Sequence, residues 1–216
     1  MRAALAGLCL AAVAAGAAFA ADGGKEQIRF TKADQAAARR AVALRSDLGS
    51  GAWTGGFLKP DLSAAPTCTN FHPKQSDLVL TGAAKTEWAN QGLEIDSTAQ
   101  VLKTHAMLVA DWQRTVLAPT AIPCLRSQLV KQLGRGVTFV SFRRVLFPPV
   151  ATRAQAYVLL VDVKTTTAKV RVALEVVLFG RNRTELTLVS TAPNVAQKVV
   201  AQADAQLARA MIARAI

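Results

Sequence analysis

The stretch AQAYVLLVDVKTTTAKVRVALEVVLFGRNRTELTLVS, Ala154 to Ser190, decides the fold. Ala156, Val158 and Leu160 alternate with Tyr157, Leu159 and Val161. Val170, Val172, Leu174, Val176 and Leu178 then fall on one face, opposite Arg171, Ala173, Glu175 and Val177. Successive side chains of a strand point to opposite faces, so this period of two predicts strands. Thr165 to Lys169 and Gly180 to Arg183 read as turns, and Thr184 to Ser190 as a last strand with Leu186 and Leu188 inward. Upstream, 137–147 is β-branched and aromatic until Pro148-Pro149 stops it. Four strands on short links predict an antiparallel meander.

Working outward, 77–88 and 93–102 make a hairpin about Asn90-Gln91-Gly92, with Leu93, Ile95, Ala99 and Val101 as its apolar positions and a bulge expected at Asp96-Ser97-Thr98. Helices surround the strands. Thr31 opens one over 32–48, with Ala37, Ala41, Leu44 and Leu48 at helical spacing and Gly49 as the stop. Thr104 opens a second, with Leu108, Trp112 and Val116 on one face, and Pro119 ends it. Thr120 opens a third, with Ile122, Leu125, Leu129 and Leu133 in line up to Gly134. Pro193 opens the last, striped by Val195, Val199, Ala203, Leu207, Met211 and Ile216. The order α-ββ-αα-ββββ-α predicts an α+β domain. About six antiparallel strands form its sheet, and the economical arrangement packs the helices on one face. The loop from Gly49 to Pro66 carries Trp53 in a short segment, 51–57, that docks at the edge.

The ends and the composition bound the compartment. Arg2, then the apolar run Ala3–Ala18, then Ala18-Phe19-Ala20 have the order of a signal peptide cleaved after Ala20. The run is short for a spanning helix. The expected organisation is leader 1–20, flexible lead-in 21–30 and one domain over 31–216, secreted or extracytoplasmic. Cys9 leaves with the leader, so Cys68 and Cys124 are the pair expected to form a disulfide. Cleavage removes only Arg2 from the 26 basic residues of the 216-residue chain. The 14 acidic ones then face 25, a formal balance of +11. Such a charge favours an anionic envelope component or peripheral membrane contact as a partner. Export, and basic residues scattered rather than clustered with aromatics, argue against nucleic acid.

Catalytic residues are sparse. His72 and His105 are the only histidines, neither with a carboxylate at a telling spacing. The GxSxG elbow, HExxH and glycine-rich phosphate loops are missing, and two cysteines do not complete a zinc site. No cofactor or metal is implied. Asp162 and Glu175 are expected to pair with Arg171 or Lys164 on a solvated sheet face. Arg143 and Arg144 should point to opposite faces of their strand. Trp53, His72, Arg143 and Arg144 remain as candidate ligand contacts.

Ser97-Thr98-Ala99-Gln100-Val101-Leu102, a helix bearing Trp112, Cys124 opening the next helix and a meander beyond it resemble small secreted proteins and lipoproteins of high-GC Gram-positive bacteria. In particular they resemble the extracellular sensor-domain family of the receptor serine/threonine kinase PknH. That resemblance implies an α+β fold with a sheet-lined groove and a ligand-sensing role, and it transfers no catalytic residues. The family usually carries two disulfides, where this chain can form one. The function expected is a secreted, non-enzymatic binding or sensor-like domain acting at or near the cell envelope, its ligand an unidentified small molecule or an anionic envelope component. The alternatives are a small secreted hydrolase using His72 or His105, and a structural envelope protein binding by charge.

Overall fold

The computed structural model describes residues 25–62, 68–166, 168–193 and 197–216. The expected leader and cleavage site lie outside them, as does Val195 of the expected last stripe. One sheet of eight strands organises the chain: β1 (Gln27–Ile28), β2 (Thr54–Leu58), β3 (Val79–Asn90), β4 (Leu93–Leu102), β5 (Val137–Val145), β6 (Arg153–Lys164), β7 (Lys169–Arg181) and β8 (Thr184–Pro193). The order across it is β1-β3-β4-β8-β7-β6-β5, with β2 also on β3. The expected hairpin and meander are therefore both present. They join through β4 and β8, antiparallel from Glu94↔Thr191 to Val101↔Thr184.

Two strands exceed the expected six, and both lie on the outer edge of β3. β1 arises within the lead-in expected to be flexible and runs parallel to Val79 and Leu80. β2, the Trp53-bearing segment, runs antiparallel to Lys85–Ala89. Between them α1 (Lys32–Ala41) closes the edge, and its Gln35 Oε1 accepts from the Ala83 amide at 3.0 Å. Helix and strand approach so closely here that a Cβ on Gly82 would lie 2.3 Å from the Asp34 carbonyl oxygen. The register shift of the hairpin sits at this point, between Leu80 and Gly82. It is not at Asp96–Thr98, which pair regularly with Glu87–Lys85.

Helices cover both faces of the sheet, a correction to the one-face expectation. α1 and α4 (Gln197–Ala213) pack Ala38, Ala41, Leu207, Ala208 and Met211 on Val177, Phe179, Leu186 and Leu188. On the other face lie α2 (His105–Thr115) and α3 (Ala121–Gln132). Trp112 and Val116 meet Tyr157, Val176, Leu178 and Val189 there, and Leu125 and Leu129 meet Leu159, Val161 and Leu174. A sheet buried on both faces needs apolar residues at both parities, which explains Val177 and Phe179.

Two helix boundaries and one helix face differ from the sequence reading. α1 ends at Ala41, because Val42 turns extended and Ala43 crosses the strands. The Ala43 amide donates to Ser97 Oγ at 2.8 Å, and its carbonyl accepts from Thr86 Oγ1 and Trp88 Nε1. A 3-10 turn at Arg45–Asp47 then carries Leu44 and Leu48 onto the same core. Pro193 ends β8 rather than opening α4. Along α4 the buried stripe runs through Val200, Asp204, Leu207, Ala208 and Met211, while Val199 and Ala203 face outward.

A disulfide joins Cys68 to Cys124 across 56 positions, with Cα atoms 5.7 Å apart. It ties the loop ahead of β3 to the first turn of α3, beside Phe71 and Ala121. Closing a loop of that length removes unfolded-chain entropy worth about 4 kcal/mol. Among the described residues no helix is long and apolar enough to cross a membrane.

Candidate functional site: a polar stripe on the sheet

Strand alternation and cross-strand register place one row of polar side chains on the α2/α3 face of β3, β4 and β8. Lys85 and Glu87 come from β3, Glu94, Asp96, Thr98 and Gln100 from β4, and Glu185, Thr187 and Thr191 from β8. The pairs Lys85↔Thr98, Glu87↔Asp96, Gln100↔Glu185 and Thr98↔Thr187 lock the row together. It flanks the apolar floor beneath Trp112, since Leu178, Val176 and Leu174 pair with Thr187, Val189 and Thr191.

The stripe is closed at one end. Glu185 keeps 4% of its surface exposed and lies under α2, where Asp111 keeps 1%. Burial pushes both carboxyls above the ordinary carboxylate range, the Asp111 charge raises Glu185 further, and neither Glu185 oxygen finds a hydrogen-bond partner. Gln75 Nε2 donates to Asp111 Oδ1 at 2.8 Å. Glu26, just before β1, belongs to the same group: burial first, then the Asp111 charge, raise it to about 7. Three acidic groups brought together by β1's lead-in, α2 and β8 cannot all ionise at once without strong repulsion.

At its other end the stripe opens. Glu87 is exposed, and Glu94, Asp96, Thr98 and Thr191 are half-buried. Lys85, 9% exposed, places Nζ 3.4 Å from Asp96 Oδ1. Even with that partner, burial holds Asp96 above its usual range. Glu94 is raised by burial and then by the negative charges of Glu87 and Asp96. Asp96 thus has one lysine partner, while Glu94 meets the like charges of Glu87 and Asp96, on a chain whose overall balance is strongly positive. Among the described residues no group of three or more His, Cys, Asp or Glu is arranged to hold a metal ion.

The residues singled out by sequence fall elsewhere, and the structure does not bring them together. Trp53 is half-buried, donates from Nε1 to the Leu48 carbonyl at 2.9 Å and packs on the α1/α4 core. His72 is exposed, with Nε2 3.2 Å from the Thr69 carbonyl. His105, also exposed, meets the Asn182 carbonyl through Nδ1. Arg143 and Arg144 are exposed on opposite faces, beside Val158 and Tyr157. Arg144 borders a cleft of about 420 Å³ with Leu146, Phe147 and Pro148.

Asp162 pairs with Arg171 at 2.8 Å and Lys169 at 2.8 Å, and both cations hold its carboxyl well below the usual range. Glu175 departs from the expected surface pairing. It is buried beneath α4, and its two oxygens have no hydrogen-bond partner. Burial and then Asp204 raise it to about 7. Asp204, raised by burial to about 7, accepts from Ser190 Oγ at 2.5 Å.

No family model matches the chain, and no curated protein matches it. In shape it is similar to the extracellular domain of PknH from Mycobacterium tuberculosis. That match has a TM-score of 0.48 and 10% identity, over 83% of this chain and 95% of that one. It is also similar to a putative uncharacterized protein from Mycobacterium smegmatis, with a TM-score of 0.45 and 14% identity, over 84% and 97% of the two chains. The first is the extracellular domain of the kinase whose sensor-domain family Ser97–Leu102, Trp112 and Cys124 resemble.

Proposed function

We propose that the chain is an exported, non-enzymatic binding domain of the cell envelope, and that its ligand is a small cationic molecule held on the polar stripe. The observation that carries this reading is the open end of the stripe, where Glu87, Glu94 and Asp96 lie together and Lys85 is paired with Asp96. An ammonium group there would ionise Glu94 and Asp96 fully and relieve their mutual repulsion. Thr98, Thr187 and Thr191 supply hydroxyls for a polar body, and the floor under Trp112 supplies apolar contact. The order of charged, apolar and small residues over 1–20 and the Cys68–Cys124 disulfide support export. The hydrolase alternative draws no support from His72 or His105, since each engages a backbone carbonyl.

Isothermal titration calorimetry with glucosamine and with cadaverine tests this reading. At least one of them should bind the wild-type chain. The double variant Glu94→Gln/Asp96→Asn should bind it about tenfold or more weakly, as expected for losing hydrogen bonds to charged groups. Absence of binding by both probes, or equal binding by the variant, would overturn the proposal.

A further inference from the structure

Next to the stripe, where β2 borders β3, the outer edge of the sheet exposes large apolar side chains. Ile28 is 52% exposed, Phe30 41%, Phe57 41% and Leu58 47%. They come from β1, the turn into α1, and β2, which flank the gap that Gln35 bridges. Phe30, Phe57, Leu58 and Leu62 line a cleft of about 500 Å³ in that gap, with Gln35 and Arg39. Exposed apolar side chains gathered in one place mark an interaction surface more often than scattered ones do.

The charges around the cleft identify its partner. Arg29, Lys32, Arg39 and Lys59 are all exposed. Within 28–32 and 54–62 the single carboxylate is Asp61. The Arg39 guanidinium sits 4.0 Å above the Phe57 ring, which puts a cation directly against an apolar tip. A second copy of this chain would bring like charges together. An acidic peptide would answer the cations but not the protruding rings.

We propose that this edge docks on an anionic lipid bilayer, with Phe30, Phe57 and Leu58 in the headgroup boundary and Arg29, Lys32, Arg39 and Lys59 on lipid phosphates. An interfacial layer supplies both chemistries at once, negative headgroups above and apolar chains about 5–10 Å deep.

Co-sedimentation with vesicles of mixed phosphatidylglycerol and phosphatidylcholine tests the proposal, using the chain as its host exports it. Wild type should sediment with these vesicles and far less with pure phosphatidylcholine. Phe57→Ser/Leu58→Ser and Arg39→Gln/Lys59→Gln should each lower partitioning roughly tenfold or more, since each cation near the surface contributes substantially. Lys131→Gln/Arg135→Gln removes the same charge from the α3 end and should change it less than about threefold. Because the edge side chains are exposed, the variants should keep the wild-type melting temperature. If the apolar pair fails to fold, the charge pair decides alone. Four results would each overturn the proposal: no sedimentation of wild type, equal binding to neutral vesicles, an equal loss in the α3 variant, or edge variants that bind as wild type does. Self-association without vesicles that the edge variants abolish would also overturn it, and would assign the edge to a second copy.

Discussion

Raising the pH from about 5 to about 8 is expected to destabilise this protein by an amount on the order of 3 kcal/mol, the reverse of the usual acid-side loss. Glu26, Glu175 and Asp204 are each raised to about 7 from ordinary values of 4.5, 4.5 and 3.8, burial being the first cause in every case. Asp111 and Glu185 are raised as well. A carboxyl whose pKa rises on folding binds more protons in the folded chain than in the unfolded one. Its contribution is complete below the unfolded value and disappears as pH climbs through the folded value. The loss therefore falls between about pH 4 and just above pH 7. Asp34, beside Arg183, and Asp77, beside Arg114, are lowered and act oppositely, so their contribution is lost only below about pH 4. Urea unfolding across this range should show a midpoint that falls toward pH 8. Asp204→Asn should remove part of the slope and stabilise the chain at the alkaline end. A midpoint that is flat or rises over the same range would show that these carboxyls are solvated or paired.

Replacing Trp112 with Ala is expected to cost about 3–5 kcal/mol. The indole is 4% exposed and fills the space between α2 and the strands, against Tyr157, Val176, Leu178 and Val189. Its removal leaves a cavity that these residues fill poorly, because they sit on hydrogen-bonded strands. Val199→Ser is the contrasting substitution: at 57% exposed on α4, it should stay within about 0.5 kcal/mol of wild type. Denaturant midpoints at constant slope separate the two, and a Trp112→Ala midpoint near that of wild type would make the helix a peripheral attachment.

Local chemistry made much of the fold legible. Gln91 and Gly92 both take left-handed φ, 48° and 86°, as a tight hairpin turn requires, and the turn at Asn90–Gly92 was therefore readable from composition. Thr104 accepts from the Met107 amide at 3.2 Å, as its position before an apolar stripe suggests. The phase of α4 was not legible, for a physical reason. Val199 and Val200 are adjacent, so an apolar stripe can be drawn through either. The true stripe includes Asp204, a carboxyl that burial pushes toward its neutral form and that accepts a hydrogen bond from Ser190. Two-sided coverage was missed because Glu175 and Arg171 suggested a solvated face, whereas α4 buries Glu175 and leaves Arg171 at its margin.

The stripe itself was hidden by the alternation that revealed the strands. Glu94, Asp96, Thr98 and Gln100 read as the wet side of a half-buried strand. Only the β4–β8 pairing brings them beside Glu185 and Thr187, and that pairing joins residues far apart in the chain. A row of polar residues at one parity, matched in a second strand with the same pattern, is the signal that marks such a site. It becomes visible only when the strand partners are known.

The claim that the stripe is the binding surface is tested most directly by following backbone amide resonances while glucosamine and, in a second series, cadaverine are titrated into the protein, the series that binds being read. The account predicts perturbations concentrated at Lys85, Glu87, Glu94, Asp96, Thr98 and Thr187, with Trp53, Arg143 and Arg144 unmoved. Perturbations centred on the Arg144–Pro148 cleft or on Phe30 and Phe57, or none at all at saturating ligand, would contradict it.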